Sequence, residues 1–159
     1  MQEKLILYIM LKVYKLYGLY YLDTLVYIGS TKNSLSTRFS QHKTTNTKSL
    51  ISIFMRYVDV KLMSIKLIRE VVDTYHHTIR DLEDEYIIKN YHTILNINLN
   101  NNLDRSFSYM SFEPTMEEYN LFLTLYKKRN QVSQNDRFEY VKQFCKNSEI
   151  MVVTESKKN

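Results

Sequence analysis

The sequence predicts an α+β (mixed α/β) fold, a small antiparallel three-stranded sheet flanked by helices and followed by a helical C-terminal extension. Three observations predict it. Two apolar, aromatic runs, residues 14–19 and 24–29, meet across a short turn as the arms of a hairpin. Residues 60–68 alternate apolar and polar positions, with Val60, Leu62, Ile65 and Leu67 marking a third strand. The segments between and after these carry apolar residues at three- and four-residue spacing, which is the stripe of an amphipathic helix.

Taken in order, residues 4–14 are apolar with little interruption and enter the hairpin as a strand or a helix, which periodicity alone does not separate. Within them, Leu5 to Leu11 is too short to cross a bilayer, and no small-residue cleavage site follows it. The run therefore reads as structure, with no membrane partner. The hairpin turns through Tyr20 to Asp23. Tyr27-Ile28-Gly29 closes its second arm, and Gly29 permits a turn or the close approach of another backbone. Asn33 and Ser34 can cap a helix over 34–43, because short polar side chains accept from its first free N–H groups. After a polar loop, Leu50, Ile53, Phe54 and Tyr57 define a second helix. The strand over 60–68 changes face once, which predicts a bulge or an irregular edge. A helix over 78–91, capped by Thr78, buries Ile79, Leu82, Tyr86 and Ile87.

Asn100-Asn101-Asn102 marks a boundary. It divides a domain over 1–100 from a linker over 101–112 and a helical extension over 113–159. In the extension, Thr115 and Glu118 have capping-box spacing ahead of a helix with Tyr119, Phe122, Leu123 and Tyr126 that ends in Lys127-Lys128-Arg129. That basic end suits phosphate contact or the helix dipole. A further helix over 136–146 places Phe138, Val141 and Cys145 on one side.

The 159 residues make one domain, or a small domain with an extension, and 44% apolar content with fourteen tyrosines predicts a globular, aromatic core. A net charge of +5 favours a polyanionic partner such as nucleic acid. Cys145 is the only cysteine. That excludes a disulfide framework and a cysteine-based zinc site, and fits a reducing intracellular compartment. His76, His77 and His92 match no ligand spacing and read as loop or surface residues.

Arg38 and His42 are four apart and project from one helix face. A strand-end phenol facing a guanidinium and an imidazole suits a phosphate site, in which Arg clamps the oxyanion and His or Tyr handles a proton. Glu83 sits on the buried stripe of its helix, where a carboxylate is costly unless it is paired or holds a metal. Asp84 and Glu85 point elsewhere on the wheel and read as solvated.

Val13-Tyr14-Lys15-Leu16, then Tyr27-Ile28-Gly29-Ser30-Thr31, Arg38, His42 and a carboxylate helix followed by an Asn resembles, in that order, the GIY-YIG endonucleases, in the longer-hairpin variety common in viral sequences. The resemblance covers about residues 12 to 98. It implies a metal-dependent endonuclease that hydrolyses DNA phosphodiesters with Mg2+ or Mn2+. It implies Tyr14 as general base, its phenol pKa lowered by nearby positive charge. Tyr20 is the lesser candidate, since Gly18-Leu19-Tyr20 leaves only six residues before Tyr27. Tyr27 would order water or phosphate, Arg38 would clamp the phosphate, and His42 would support the proton transfer. Glu83 would hold the metal, although a gapless match gives Asp84, and Glu85 is adjacent. Asn96, preferred to Asn98, would hold the constellation through hydrogen bonds. Lys12 and Val13 stand where the family has Gly and Ile. That departure supports a second reading, a catalytically inactive nucleic-acid-binding protein on the same scaffold. A third, an interaction protein, rests only on the tyrosine excess. Abundant Asn, Ile, Lys and Tyr suggest an AT-rich viral or mobile-element genome.

Overall fold

The computed structural model describes residues 12–73, 76–108, 110 and 113–153, with the side chains of Lys12, Asp73, His76, His77 and Thr78 outside the description. The leading run over 4–11 falls outside it too. Three antiparallel strands, β1 (Lys12–Tyr21), β2 (Thr24–Thr31) and β3 (Met63–Asp73), form one sheet in the order β2-β1-β3. Between β2 and β3 lie α1 (Leu35–Thr44) and α2 (Leu50–Tyr57). After β3 come α3 (His76–Asn90), α4 (Leu103–Ser108), α5 (Met116–Asn130) and α6 (Arg137–Asn147). The fold is therefore α+β, as the alternation and the helical stripes predict.

The hairpin is tighter than a turn over Tyr20 to Asp23. Tyr21 already pairs with Thr24, which leaves Leu22 and Asp23 as the connection. Leu22 takes a left-handed φ of 52°, and its N–H donates to Leu62 O at 2.9 Å, so the turn is tied to the approach to β3. The third strand does carry a bulge, but at Ile68 and not at the predicted change of face between Leu62 and Ile65: Leu16 pairs with Arg69 but Tyr17 with Leu67, so β3 carries one extra residue. The strand also runs later than 60–68, because Val60–Leu62 form a 3-10 turn.

Side chains alternate across the sheet, and two apolar clusters result. Tyr17, Leu19 and Tyr21 join Leu50 and Phe54 of α2 and Val141 and Cys145 of α6. Tyr14, Leu16 and Ile28 join Ile79 and Ile87 of α3 and Phe122 of α5. The helices after residue 112 thus contribute to both clusters that cover the sheet. Ser34 caps α1 through Thr37 N, and Thr115 with Glu118 forms the expected capping box on α5. Helix α3 begins at His76, so Thr78 lies inside it rather than at its cap. The stretch expected as a linker contains α4, held to α3 by the Arg105–Asp81 ion pair at 3.2 Å.

Asp84 is not solvated. It is fully buried, and its carboxylate accepts from the N–H groups of Asn100 and Asn101, from Asn101 Nδ2 and from Ser106 Oγ. A buried carboxylate persists when donors replace its water, and here those donors pin the segment after the asparagines to α3. Glu85 is also buried. Arg129, the last basic residue of α5, is buried as well: it donates to Asn96 O, Tyr91 O and Tyr140 Oη and stacks 4.0 Å from the Tyr91 ring centre. It fastens α5 to the loop after α3. Among the described residues no helix is long and apolar enough to cross a membrane.

Candidate active site

The short turn and a bulge in β2 set which tyrosine reaches α1. With two connecting residues and one extra residue, Val26, in β2, the strands pair so that Tyr17 lies opposite Gly29 and Leu19 opposite Tyr27. Cross-strand partners share a face. A Cβ on Gly29 would sit 2.5 Å from Tyr17 Oη and 2.6 Å from the ring carbon bearing it. The glycine is therefore required by the phenol that lies over it.

Helix α1 then brings Arg38 and His42, one turn apart, to that same phenol. Arg38 Nε donates to Tyr17 Oη at 2.9 Å, and Tyr17 Oη lies 2.8 Å from His42 Nε2. Gln41 Oε1 accepts from Arg38 Nη1 at 3.1 Å and orients the guanidinium further. Arg38 Nη2 has no protein partner among the described residues. Tyr27 packs edge-on against the His42 ring, with ring centres 5.4 Å apart.

Tyr14 does not occupy this position. It is packed in the other cluster with Leu16, Ile28 and Ile79, and Lys32 Nζ lies 5.3 Å from its ring centre. The residue that meets both Arg38 and His42 is Tyr17, three positions later. The two-residue turn moves the partner of Gly29 by two positions, and a one-residue bulge at Val26 moves it by a third and onto the other face, so the misplacement follows from turn and bulge together. Tyr20 is half-buried and lies on the opposite pleat from Tyr17, with Lys66 Nζ 4.7 Å from its ring centre.

Glu83 approaches from α3. Its Oε2 accepts from Ser30 Oγ at 2.6 Å, one residue beyond Gly29. Its charge is close enough to disfavour ionisation of both Tyr17 and Tyr27. Burial raises the Glu83 pKa above the ordinary carboxylate value, opposed by hydrogen bonds from Ser30 and Asn100. No cation lies within 4.0 Å of it among the described residues, whose ion pairs are Arg105–Asp81 and Lys142–Glu139. A partly desolvated carboxylate without a paired cation suits a hard divalent ion, which keeps several waters and needs one or two carboxylates. Asp84 does not suit it, because both of its oxygens are already committed to internal donors. Among the described residues no three His, Cys, Asp or Glu side chains gather as a metal cage, so Glu83 would hold such an ion largely through water.

Burial also sets the protonation of the cluster. His42 is pushed down to about 4, first by desolvation and then by the Arg38 charge, so it is neutral at pH 7. Tyr17 is raised, since desolvation outweighs the lowering by Arg38. Tyr27 is raised further still by burial and remains a phenol. When His42 carries its proton on Nδ1, Tyr17 Oη accepts from Arg38 and donates to Nε2, which satisfies the phenol in both directions.

Asn96 is a positioning residue. Its Oδ1 accepts from Ile28 N at 3.0 Å and its Nδ2 donates to Ile28 O at 2.8 Å, while Leu95 N donates to Val26 O at 2.8 Å. The segment thus continues the sheet along the outer edge of β2 and fixes the backbone between Tyr27 and Gly29. The structure brings Tyr27, Arg38, His42 and Glu83 around Tyr17, with Asn96 behind β2.

The chain matches no protein-family model, and comparison with curated proteins and with solved structures finds no match.

Proposed function

We propose that the protein is a divalent-metal-dependent DNA endonuclease of the GIY-YIG type, with Tyr17 in the place of the family's first tyrosine. The observation that carries this reading is the convergence of a guanidinium, a neutral imidazole and a phenol on one oxygen, beside a carboxylate without a paired cation. Arg38 Nη2, without a protein partner among the described residues, can donate to a non-bridging phosphate oxygen while Nε and Nη1 stay bonded to the cluster.

In this reading Arg38 binds the scissile phosphate through Nη2 while Tyr17 and Gln41 hold the guanidinium in place. Tyr17 takes a proton from the attacking water as it passes its own to His42 Nε2, and because burial and Arg38 disfavour the imidazolium, this transfer relies on the negative charge of the bound phosphate to stabilise it. Tyr27 keeps the imidazole ring in place. Mg2+ or Mn2+ bound at Glu83 would supply positive charge against the charge that develops on the phosphate. The partner is DNA, in keeping with the net charge of +5, and the setting is intracellular.

The test is nicking of supercoiled plasmid with Mg2+ or Mn2+, comparing the intact chain with Glu83→Gln and Arg38→Ala after circular dichroism has established that each folds. Nicking by the intact chain, stopped by chelator and reduced about 100-fold or more in both variants, is the expected result. Undiminished nicking by Glu83→Gln would remove the metal assignment. Plasmid binding without cleavage in any metal would favour the catalytically silent nucleic-acid-binding protein, for which the raised phenol pKa is the best support.

A further inference from the structure

A second candidate site lies at the other end of β2. Thr24 opens β2, six residues before the Ser30 that bonds Glu83, which places it about 20 Å from that serine along an extended strand. Thr24 forms part of the wall of a cavity of about 560 Å³ between the hairpin, the loop after α3, and helices α5 and α6. That volume is within the range of roughly 300–1,000 Å³ that small-ligand sites occupy.

The chemistry of the wall is one-sided. His92, Lys128 and Arg129 line the cavity, and among the described residues no Asp or Glu does. The ion pairs among the described residues involve neither Lys128 nor Arg129. Arg129 is 4% exposed and is held by two carbonyls and the Tyr140 hydroxyl, all neutral acceptors, so its positive charge is buried without a counter-anion among the described residues. A buried cation satisfied only by dipoles leaves a positive potential in the adjoining space. The rest of the wall includes Leu125, Tyr140 and Phe144, which offer an apolar and aromatic surface beside the cations. Two other cavities touch α5: one between Tyr91, Phe107 and Phe122 holds only about 150 Å³ and includes Glu118, and one of about 440 Å³ shares Lys128 and Tyr140 with this wall but adds Asp136 and Glu139, so neither offers the one-sided charge.

We infer that this cavity binds a nucleoside monophosphate unit, its phosphate held by Lys128 and Arg129 and its base against Tyr140 and Phe144. The site belongs to the helices after residue 112 and does not depend on cleavage at Tyr17. It accounts for a buried arginine that no carboxylate neutralises, and it gives the C-terminal helices a ligand of their own.

The test is calorimetric titration of the full chain, in chelator and low salt, with thymidine 5′-monophosphate, thymidine and inorganic phosphate. Saturable binding of the monophosphate, at least tenfold tighter than of either fragment and weakened at least tenfold by Lys128→Glu, is the expected result. Lys66→Glu on β3 changes the net charge equally at a distant exposed site and should leave the binding unaltered. No saturable binding at millimolar ligand would overturn the inference, as would equal weakening by Lys66→Glu. Binding lost in Arg38→Ala but retained in Lys128→Glu would place the nucleotide at the Tyr17 cluster instead, overturning this site while leaving the nuclease reading intact.

Discussion

Neutral His42 predicts an acid-sensitive fold whose slope belongs to one side chain. The ordinary imidazole value of 6.5 falls to about 4 in the folded protein, because burial and the Arg38 charge both disfavour the cation. Between those values the unfolded chain binds a proton that the folded chain refuses, so stability falls as pH falls. The full linkage is about 3 kcal/mol below pH 4, and about 2 kcal/mol is already lost at pH 5. Glu83 acts in the opposite sense: its raised carboxyl takes a proton in the folded state first, which adds stability as pH falls and offsets part of the loss. Comparing the intact chain with His42→Gln cancels that contribution. In urea unfolding followed by circular dichroism, the intact chain should lose about 2 kcal/mol more than His42→Gln between pH 7 and pH 5. Parallel losses in the two proteins would refute the claim that the imidazole is held neutral, and with it His42 as proton acceptor.

Two further outcomes follow from the packing. Asp84→Ala leaves the two backbone N–H groups at Asn100 and Asn101, together with the Ser106 hydroxyl, without their acceptor. It should cost roughly 3–5 kcal/mol in urea unfolding, and a loss under about 1 kcal/mol would contradict a pinning role for this carboxylate. Gly29→Ala puts a methyl 2.5 Å from Tyr17 Oη, so the phenol must leave its place between Arg38 and His42. Nicking should fall at least tenfold while the circular dichroism spectrum is kept, and unchanged nicking would show that the phenol position is not needed.

The parts of the fold set by local periodicity and capping were legible in the sequence. Ser34, the Thr115–Glu118 box, the stripe of α2 and the Phe138, Val141 and Cys145 face of α6 each depend on residues within a turn or two of one another. The pairing of Arg38 with His42 was legible for the same reason. Register was not. Leu22 in a left-handed conformation shortens the turn with no Gly or Asn to announce it, and together with a one-residue bulge at Val26 it moves the residue opposite Gly29 from Tyr14 to Tyr17. A glycine on β2 that must have a bulky cross-strand partner was the available signal. Asp84 was misread because its neutralising donors come from residues 100–106, which α3 periodicity does not contain. Arg129 was read with Lys127 and Lys128 as a basic helix end suited to phosphate contact or the helix dipole, since its acceptors at Tyr91, Asn96 and Tyr140 lie on other segments.

The measurement that tests the central claim most directly sets Tyr17→Phe against Tyr14→Phe in the plasmid-nicking assay with Mn2+. Both phenols are buried, but only Tyr17 bridges Arg38 and His42. Loss of nicking by about 100-fold or more in Tyr17→Phe, with Tyr14→Phe within a few-fold of the intact chain, is the result the account predicts. Loss confined to Tyr14→Phe, with Tyr17→Phe active, would contradict it and move the catalytic centre to the other face of the sheet.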